Sequence, residues 1–153
     1  MKEEANTMNN QIKSRVATLD DTHELAHLNA VFNGVQLGPE QLSSRLANPH
    51  CVETPIVAEM DNCIVGFASL CLVLRVFYDT PHAELTELFV QEAYRHRGIG
   101  RALVVHAECL ACEGGATELF VLTGFTNREA HSLYHAMGYE DDDRAMSKVL
   151  LNE

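Results

Sequence analysis

The chain has 153 residues, the length of one ordinary domain that can bury a hydrophobic core. Its hydrophobic content of 46% and charged content of 22% are those of a globular protein in water. The formal net charge of −11 argues against a nucleic-acid partner, because phosphates require a basic surface, and it suits a cationic substrate.

The first ten residues contain two glutamates and no apolar run, so we predict a disordered polar tail over residues 1–10. The longest apolar stretch, residues 63–74, is too short to span a bilayer, and no membrane partner is expected. Five irregularly spaced cysteines favour reduced thiols and a cytoplasmic location. We therefore predict a single domain over residues 11–153.

Apolar periodicity predicts strands that alternate with helices along the chain. The N-terminal part is predicted to hold a strand over 12–18, a helix beginning at Asp20-Asp21, a short helix over 39–46, and a hairpin of strands 55–60 and 63–74 that turns at Asp61-Asn62. The remainder is predicted to hold a strand over 85–90, a helix from Ile99 that stops at Gly114-Gly115, a strand over 118–122, a helix closed by Gly138, and a last strand over 147–151. This order predicts an α/β fold with a twisted mixed sheet covered by helices on both faces.

A glycine-rich turn separates the strand over 85–90 from the following helix. It reads Arg95-His96-Arg97-Gly98-Ile99-Gly100, and Arg101 follows. Backbone N–H groups at a helix N-terminus have no intrahelical partner, and with the helix dipole they form an anion site. The turn is not a P-loop and lacks the third glycine of the dinucleotide fingerprint. Taken alone, it is equally well explained as a helix start with two permissive glycines.

Arg95-x-x-Gly98-x-Gly100 after an apolar strand resembles the acyl-CoA pyrophosphate loop of the GNAT superfamily of N-acetyltransferases. Downstream, Asn127-x-x-Ala130-x-x-Leu133-Tyr134 and then Met137-Gly138-Tyr139 are similar to that family's second cofactor-contacting helix. The resemblance implies a GNAT-like fold, acetyl-CoA as the acyl donor substrate, no metal, and a small-molecule amine as acceptor. It leaves a homodimer open.

The resemblance also implies a role for each matched residue. Backbone groups of Leu88, Phe89 and Val90 would hold the pantetheine arm as an added strand would be held. The pyrophosphate would lie on residues 95–101, namely Arg95, His96, Arg97, Gly98, Ile99, Gly100 and Arg101, with the Arg97 side chain close to a phosphate. Asn127 would contact the pantetheine arm or simply cap its helix, and Tyr134 would donate a proton to the sulfur or simply pack in the core.

A protonated amine cannot attack a thioester, so the reaction benefits from a base. Glu87 is the predicted base, Glu84 is the second candidate, and a water chain is the third. Some relatives carry two adjacent acids here, whereas this chain has Thr86-Glu87. The acceptor is expected to be recognised by residues 32–37 and 75–82, because such loops vary freely between related folds.

Two other functions remain open at the level of sequence. One is an acetyltransferase that acts on protein N-termini or lysines, and the other is a noncatalytic acyl-CoA-binding module. The zincin-like His23-Glu24-x-x-His27 lacks a third ligand, and His131 and His135 are interpreted as the solvated side of a helix. Cys109-x-x-Cys112 lies within a predicted helix and is interpreted as packing.

Overall fold

A computed structural model of the chain describes residues 11–142 and 145–150. The residues divide into two compact units, one that extends through Val121 and one that begins at Leu122. The predicted tail over 1–10 lies outside the described residues. The single domain over 11–153 stays a prediction.

Within its described residues, the first unit contains a five-stranded mixed sheet with three α-helices. Its elements are β1 (Lys13–Val16), α1 (Thr22–Asn33), α2 (Pro39–Leu46), β2 (Glu53–Met60), β3 (Cys63–Val73), β4 (His82–Val90), α3 (Ile99–Glu113) and β5 (Phe120–Val121). The strands lie in the order β1-β2-β3-β4-β5, with antiparallel pairs up to β4 and a parallel β4–β5 pair. This arrangement confirms the predicted mixed α/β fold.

The predicted hairpin is present, and its turn has the expected chemistry. Asp61 and Asn62 have φ values of 54° and 62°, the left-handed conformation that two-residue hairpin turns require. Asx residues tolerate this conformation better than other non-glycine residues. The turn therefore aligns β2 with β3 from Met60 opposite Cys63 onward.

Helices pack on both faces of the sheet because side chains alternate along each strand. Phe67 on β3 packs with Leu25 and Leu28 of α1. Leu70, which lies on the opposite face of the same strand, packs with Ala111 of α3. The sheet is thus enclosed between α1 on one side and α3 on the other, as the apolar pattern predicts.

The second unit contains one helix, α4 (Arg128–Ala136), within its described residues. The predicted strand over 147–151 is wrong for residues 147–150, which adopt no strand, and Leu151 lies outside the described residues. Val149 and Leu150 are exposed, so these two apolar residues of the predicted strand are not buried against a sheet. No helix in the described part of the chain is long and apolar enough to cross a bilayer.

An ion-pair cluster fixes the start of α1 to β1. Arg15 donates to both carboxylate oxygens of buried Asp21, with Nη1–Oδ2 at 2.7 Å and Nη2–Oδ1 at 2.9 Å. Its Nε donates to Glu59 at 2.9 Å, and the Thr18 N–H donates to Asp21 at 2.7 Å. The hydrogen bonds from Arg15 lower the pKa of Asp21 to about 2.

We expect Asp21→Asn to lower the free energy of unfolding at pH 7 by about 1–2 kcal/mol, because it removes the charge that Arg15 binds. A lowered folded-state pKa gives stability that is present above the unfolded pKa and lost as pH falls towards about 2. The difference between parent and variant in urea denaturation should therefore shrink between pH 4 and pH 2. Asp20→Asn, a change at the exposed neighbour, is the control and should leave stability unchanged.

Candidate active site

The glycine-rich loop leads from the end of β4 into α3. A 3₁₀ turn over Glu92–Tyr94 follows β4, and Gly98 is the N-cap of α3. The first bond of the helical ladder joins the Ala102 N–H to the Gly98 carbonyl at 3.0 Å. The N–H groups of Ile99, Gly100 and Arg101 therefore precede the ladder and have no intrahelical acceptor, which makes this end of α3 suited to an anion.

Position 98 requires a glycine because of its backbone conformation and not because neighbouring atoms crowd it. Its φ of 84° lies in the left-handed region that disfavours residues with a Cβ. A Cβ built there would come no closer than 3.9 Å to protein, its nearest neighbour being Ile12 Cδ1. The space in front of the α3 N-terminus is thus open to a ligand.

Two of the loop arginines make contacts with the protein itself. Arg95 Nε donates to the Val90 carbonyl at 3.0 Å and so joins the loop to the end of β4. The Arg97 guanidinium lies 5.4 Å from the Tyr94 ring centroid, and its Nη1 is 3.8 Å from Met60 Sδ. The structure therefore directs Arg97 towards β2, whereas Arg101 on the first turn of α3 is exposed.

The edge of β4 that faces β5 is largely unpaired. Within the described residues, β5 pairs with β4 only at Glu84 and Leu85, which leaves the stretch from Thr86 to Val90 without a β5 partner. Thr86 is an extra residue in the ladder with β3, because Glu87 lies opposite Ser69 and Leu85 opposite Leu70. Such a bulge increases the local twist and separates neighbouring strands.

The register decides which backbone groups are directed to that edge. In an antiparallel ladder, residues alternate between those that bond their partner and those whose groups are directed away from it. The Gln91 N–H donates to Val65 O at 2.9 Å, so Phe89, opposite Phe67, also bonds β3. The N–H and carbonyl groups of Leu88 and Val90 consequently face the unpaired edge, and those of Phe89 do not.

Glu87 lies on the same face of β4 as Phe89, the face that α1 covers. Its Oε2 is 3.4 Å from Nδ2 of Asn33, the last residue of α1, and its side chain is partly exposed. Glu84 is three residues earlier, and its carboxylate is 3.4 Å from His82 Nε2. Both candidate bases are on the Phe89 face, because the bulge at Thr86 places Glu84 opposite Cys71, but only Glu87 is next to Asn33 at the end of α1.

A cleft of about 500 Å³ lies between the end of α1 and the loop after β4. Its lining residues are Val31, Phe32, Phe89, Gln91, Glu92, Ala93 and Arg95. The Phe32 and Phe89 rings stack with their centroids 5.0 Å apart. Phe32 was expected in an acceptor-recognition loop, but it lies in the last turn of α1, since α1 continues to Asn33 and ends at left-handed Gly34.

In the second unit, Asn127 is the N-cap of α4, and its Oδ1 accepts from the Ala130 N–H at 3.1 Å. Tyr134 on the same helix is 6% exposed, and burial raises the pKa of its phenol to about 12. Thr123 Oγ1 is buried without a hydrogen-bond partner among the described residues. Thr123 lies two residues after β5, and no pattern in the sequence distinguishes it.

Among the residues that the structure describes, the other sequence motifs form no second catalytic centre. His23, Glu24 and His27 line a recess of about 190 Å³, but no third metal ligand joins them within the described ranges 11–142 and 145–150. The interpretation of Cys109 and Cys112 as packing is wrong, since both thiols lie on the exposed side of α3.

Comparisons with known proteins agree with this class of fold, a mixed α/β domain. Residues 20–139 match the model of the acetyltransferase (GNAT) family. The chain belongs to this family.

Two curated relatives are uncharacterised N-acetyltransferases. One, CT2212 of Chlorobaculum tepidum, is 35% identical over 91 residues, which are 58% of this chain and 50% of the relative. The other, YhfO of Bacillus subtilis, is 34% identical over 101 residues, 66% of each chain. The match thus spans about half of the first relative's length and about two thirds of the second's.

Solved structures show the same fold over nearly the whole chain. A putative acetyltransferase from Agrobacterium tumefaciens superposes with a TM-score of 0.79 at 25% identity, covering 90% of this chain and 99% of the other. An aminoglycoside acetyltransferase, meta-AAC0020, from an uncultured soil metagenomic sample gives 0.80 at 18% identity, covering 95% and 99%.

Proposed function

We propose that this chain transfers the acetyl group of acetyl-CoA to the primary amine of a small molecule. The observation that carries the proposal is the open, left-handed glycine turn at Gly98, which presents the first N–H groups of α3 beside the unpaired end of β4. A diphosphate suits these donors, because it brings negative charge to the positive end of the helix dipole. Residues 95–101 bind it mainly through the backbone in this proposal.

The unpaired edge of β4 suits the amide-containing arm of the acyl donor. Leu88 and Val90 direct main-chain groups to this edge, so an extended ligand can bond them as a strand would. The Val90 carbonyl already accepts from Arg95, which leaves its N–H as the donor for the oxyanion of the tetrahedral species. In this proposal, Phe89 contributes its side-chain ring to the site, and its backbone groups bond β3 instead of the acyl donor. Asn127, whose side-chain oxygen caps α4, would donate through Nδ2.

In the proposed reaction, a bond forms between the amine nitrogen and the acetyl carbon, and the bond from that carbon to sulfur breaks. Glu87 accepts one proton from the protonated amine before the attack, and the second proton that the nitrogen loses as the amide forms passes through water to the departing thiolate. Tyr134 donates a hydrogen bond to the sulfur as the thiolate leaves. The family resemblance assigns these roles, and the position of Glu87 beside Asn33 at the end of α1 supports its part.

We propose direct transfer in a ternary complex, without an acetylated cysteine. Cys71 is the one cysteine of β3 that is partly buried, and burial together with Glu53 and Glu84 raises the pKa of its thiol. A raised pKa lowers the thiolate fraction that a nucleophile needs. The thiol therefore stays protonated beside the sheet and does not carry the acetyl group.

The acceptor is a small cationic amine in this proposal. The chain carries a net charge of −11, and Glu92 lies in the wall of the cleft at Phe32 and Phe89. Aminoglycoside acetyltransferases among the solved structures with this fold lend support to an acceptor of that class. The odd cysteine count supports a cytoplasmic setting.

Release of free thiol from acetyl-CoA tests the function directly. Polyamines, aminoglycosides, free amino acids and lysine-containing peptides form the acceptor panel. Thiol release with a small amine supports the proposal, and release only with peptides would replace it with a protein acetyltransferase. Binding of acetyl-CoA without release for any acceptor would indicate the noncatalytic module.

The binding step is tested by substituting Gly98. We expect acetyl-CoA at about 100 times its Kd to stabilise the parent by about 2.7 kcal/mol, which raises Tm by roughly 5–10 °C. Gly98→Val should erase this rise, because its methyl groups occupy the open space before α3. Differential scanning fluorimetry with and without acetyl-CoA measures both values.

Gly115→Val is the matched control for backbone strain. Gly115 also has a left-handed φ, 89°, and a Cβ built on it would come no closer than 3.9 Å to protein, as at Gly98. Gly115 lies, however, at the opposite end of α3. It should lose ligand-free stability much as Gly98→Val does and keep the full rise with acetyl-CoA. Equal rises in the two variants would refute the pyrophosphate site.

A further inference from the structure

Two histidines and one aspartate lie together at the C-terminal end of α4. His131 and His135 are one turn apart on the helix, and Asp141 follows it. One potential ligand atom from each of the three lies within 4.8 Å of the other two. In the part of the chain that the structure describes, this is the one group of three such side chains.

The group forms because of how α4 ends. Gly138 has a left-handed φ of 91°, its N–H donates to His135 O at 3.1 Å, and the Tyr139 N–H donates to Tyr134 O at 3.0 Å. This pair of bonds is the Schellman motif, and the Tyr134–Tyr139 ring contact at 5.4 Å is its usual apolar partner. The motif reverses the chain, so that Asp141 returns to within 3.1 Å of His135 Nε2.

We propose that His131, His135 and Asp141 together bind a divalent transition-metal ion and that this ion is Zn²⁺. Two imidazoles and a carboxylate are a ligand set that zinc uses, with a fourth position left for water. Ligand atoms on a tetrahedral zinc ion lie about 3.3 Å apart, given bonds of about 2.0–2.1 Å. His135 Nε2 and Asp141 Oδ1 are 3.1 Å apart, a hydrogen bond whose proton a bound ion would displace, and this separation is close to that value.

His131 has the outer contact that a metal-bound histidine needs. Its Nε2 is 3.0 Å from the Gly124 carbonyl, which can only accept, so this nitrogen carries the proton. The lone pair then lies on Nδ1, and the ring is held by a backbone partner in the way metal-ligating histidines are held. The His131 and His135 ring centroids are 6.1 Å apart, and both side chains adjust by rotamer changes on an accessible surface.

A bound ion would join the last turns of α4 to the chain beyond Gly138. It would thereby hold Tyr139 against Tyr134 and stabilise the end of the helix. The site is independent of the acetyl-transfer proposal, because none of its ligands takes part in that reaction. It revises the prediction from sequence that His131 and His135 are only the solvated side of a helix.

Isothermal titration of the full chain with ZnCl₂, under reducing conditions and without chelating buffer, tests the site. We expect one Zn²⁺ per chain. Losing a residue that only supports a metal ligand weakens metal binding by about 10–100-fold. His131→Gln, His135→Gln and Asp141→Asn each remove a ligand itself, so each should weaken Zn²⁺ binding by more than that. Circular dichroism should show that the variants are folded, since all three side chains are half-buried or exposed.

Two control variants distinguish this site from other zinc ligands of the chain. His23→Gln/His27→Gln removes a pair with the same helical spacing but no aspartate, and Cys109→Ser/Cys112→Ser removes the exposed thiols of α3. Both should bind Zn²⁺ like the parent. The proposal is overturned if either control abolishes binding, if the three site variants retain it, or if the parent takes up no Zn²⁺ at micromolar concentrations.

Discussion

Replacing Glu87 with glutamine is expected to lower turnover at pH 7 by about 10²–10⁴-fold, the usual contribution of a positioned base. The amine acceptor has a pKa near 10.4, so removing its proton at pH 7 costs about 4–5 kcal/mol without help. Glutamine keeps the size of the side chain and cannot accept this proton. As the pH rises towards 10, the amine loses its proton to water, and the variant should recover part of the lost rate.

The pH dependence distinguishes a base from a side chain that only positions the substrate. Thiol release at saturating acetyl-CoA, measured from pH 7 to pH 10, should give parent and Glu87→Gln rates that converge with rising pH. Parallel curves would mean that Glu87 orients the acceptor or supports β4. Glu84→Gln is the control on the same strand, and its carboxylate pairs with His82, so its rate should follow the parent.

Asn33→Ala probes the contact that orients the Glu87 carboxylate. Asn33 Nδ2 is 3.4 Å from Glu87 Oε2. Loss of this donor leaves the base in place but less well oriented, so we expect an effect on turnover smaller than that of Glu87→Gln at every pH. An effect as large as that of Glu87→Gln would mean that the amide of Asn33, and not the carboxylate of Glu87, makes the contact that is essential for turnover.

The order of elements was predictable because its signals are local. Asp61-Asn62 between two apolar runs specifies a hairpin by its own backbone preference. Gly98 ahead of a 3.6-residue apolar repeat specifies where α3 begins. Neither feature depends on residues far away in the chain, so sequence alone suffices to place the loop between β4 and α3.

Features set by long-range packing were not predictable in this way. The direction of the Phe89 backbone groups depends on the β3–β4 register and on the bulge at Thr86, which no local pattern reveals. Arg97 lies over Tyr94 and beside Met60, a contact with β2 that its position in the loop does not indicate. The segment over 147–150, which contains Val149 and Leu150, resembles the end of a strand, although a strand forms only where a partner is available.

Tyr134→Phe is expected to lower turnover by about 10²–10⁴-fold while acetyl-CoA affinity stays close to that of the parent. The variant keeps the ring that packs against Tyr139 and removes only the hydroxyl. Loss of one hydrogen-bonding group costs about 0.5–1.5 kcal/mol of stability, so Tm should fall by no more than about 6 °C. A loss confined to kcat indicates an interaction made in the transition state.

Burial changes how Tyr134 acts on the leaving group. A thiol has a pKa near 8.5, and the phenol has a pKa of about 12, so full proton transfer to the thiolate is uphill. Tyr134 therefore stabilises the developing charge on sulfur by a hydrogen bond and completes no transfer before the bond to carbon breaks. Because a raised pKa keeps the phenol protonated up to about pH 12, Tyr134 should cause no decline of the parent rate between pH 8 and pH 10.

Donors that differ in their leaving group test this role. A thioester with a more acidic thiol needs less stabilisation of the departing charge, so Tyr134→Phe should slow it less than it slows acetyl-CoA. Tyr139→Phe removes the hydroxyl of the neighbouring ring and should turn over like the parent. If Tyr134→Phe also turns over like the parent on a good acceptor, the thiolate leaves without help from a hydrogen bond of Tyr134, and Tyr134 is a packing residue of α4.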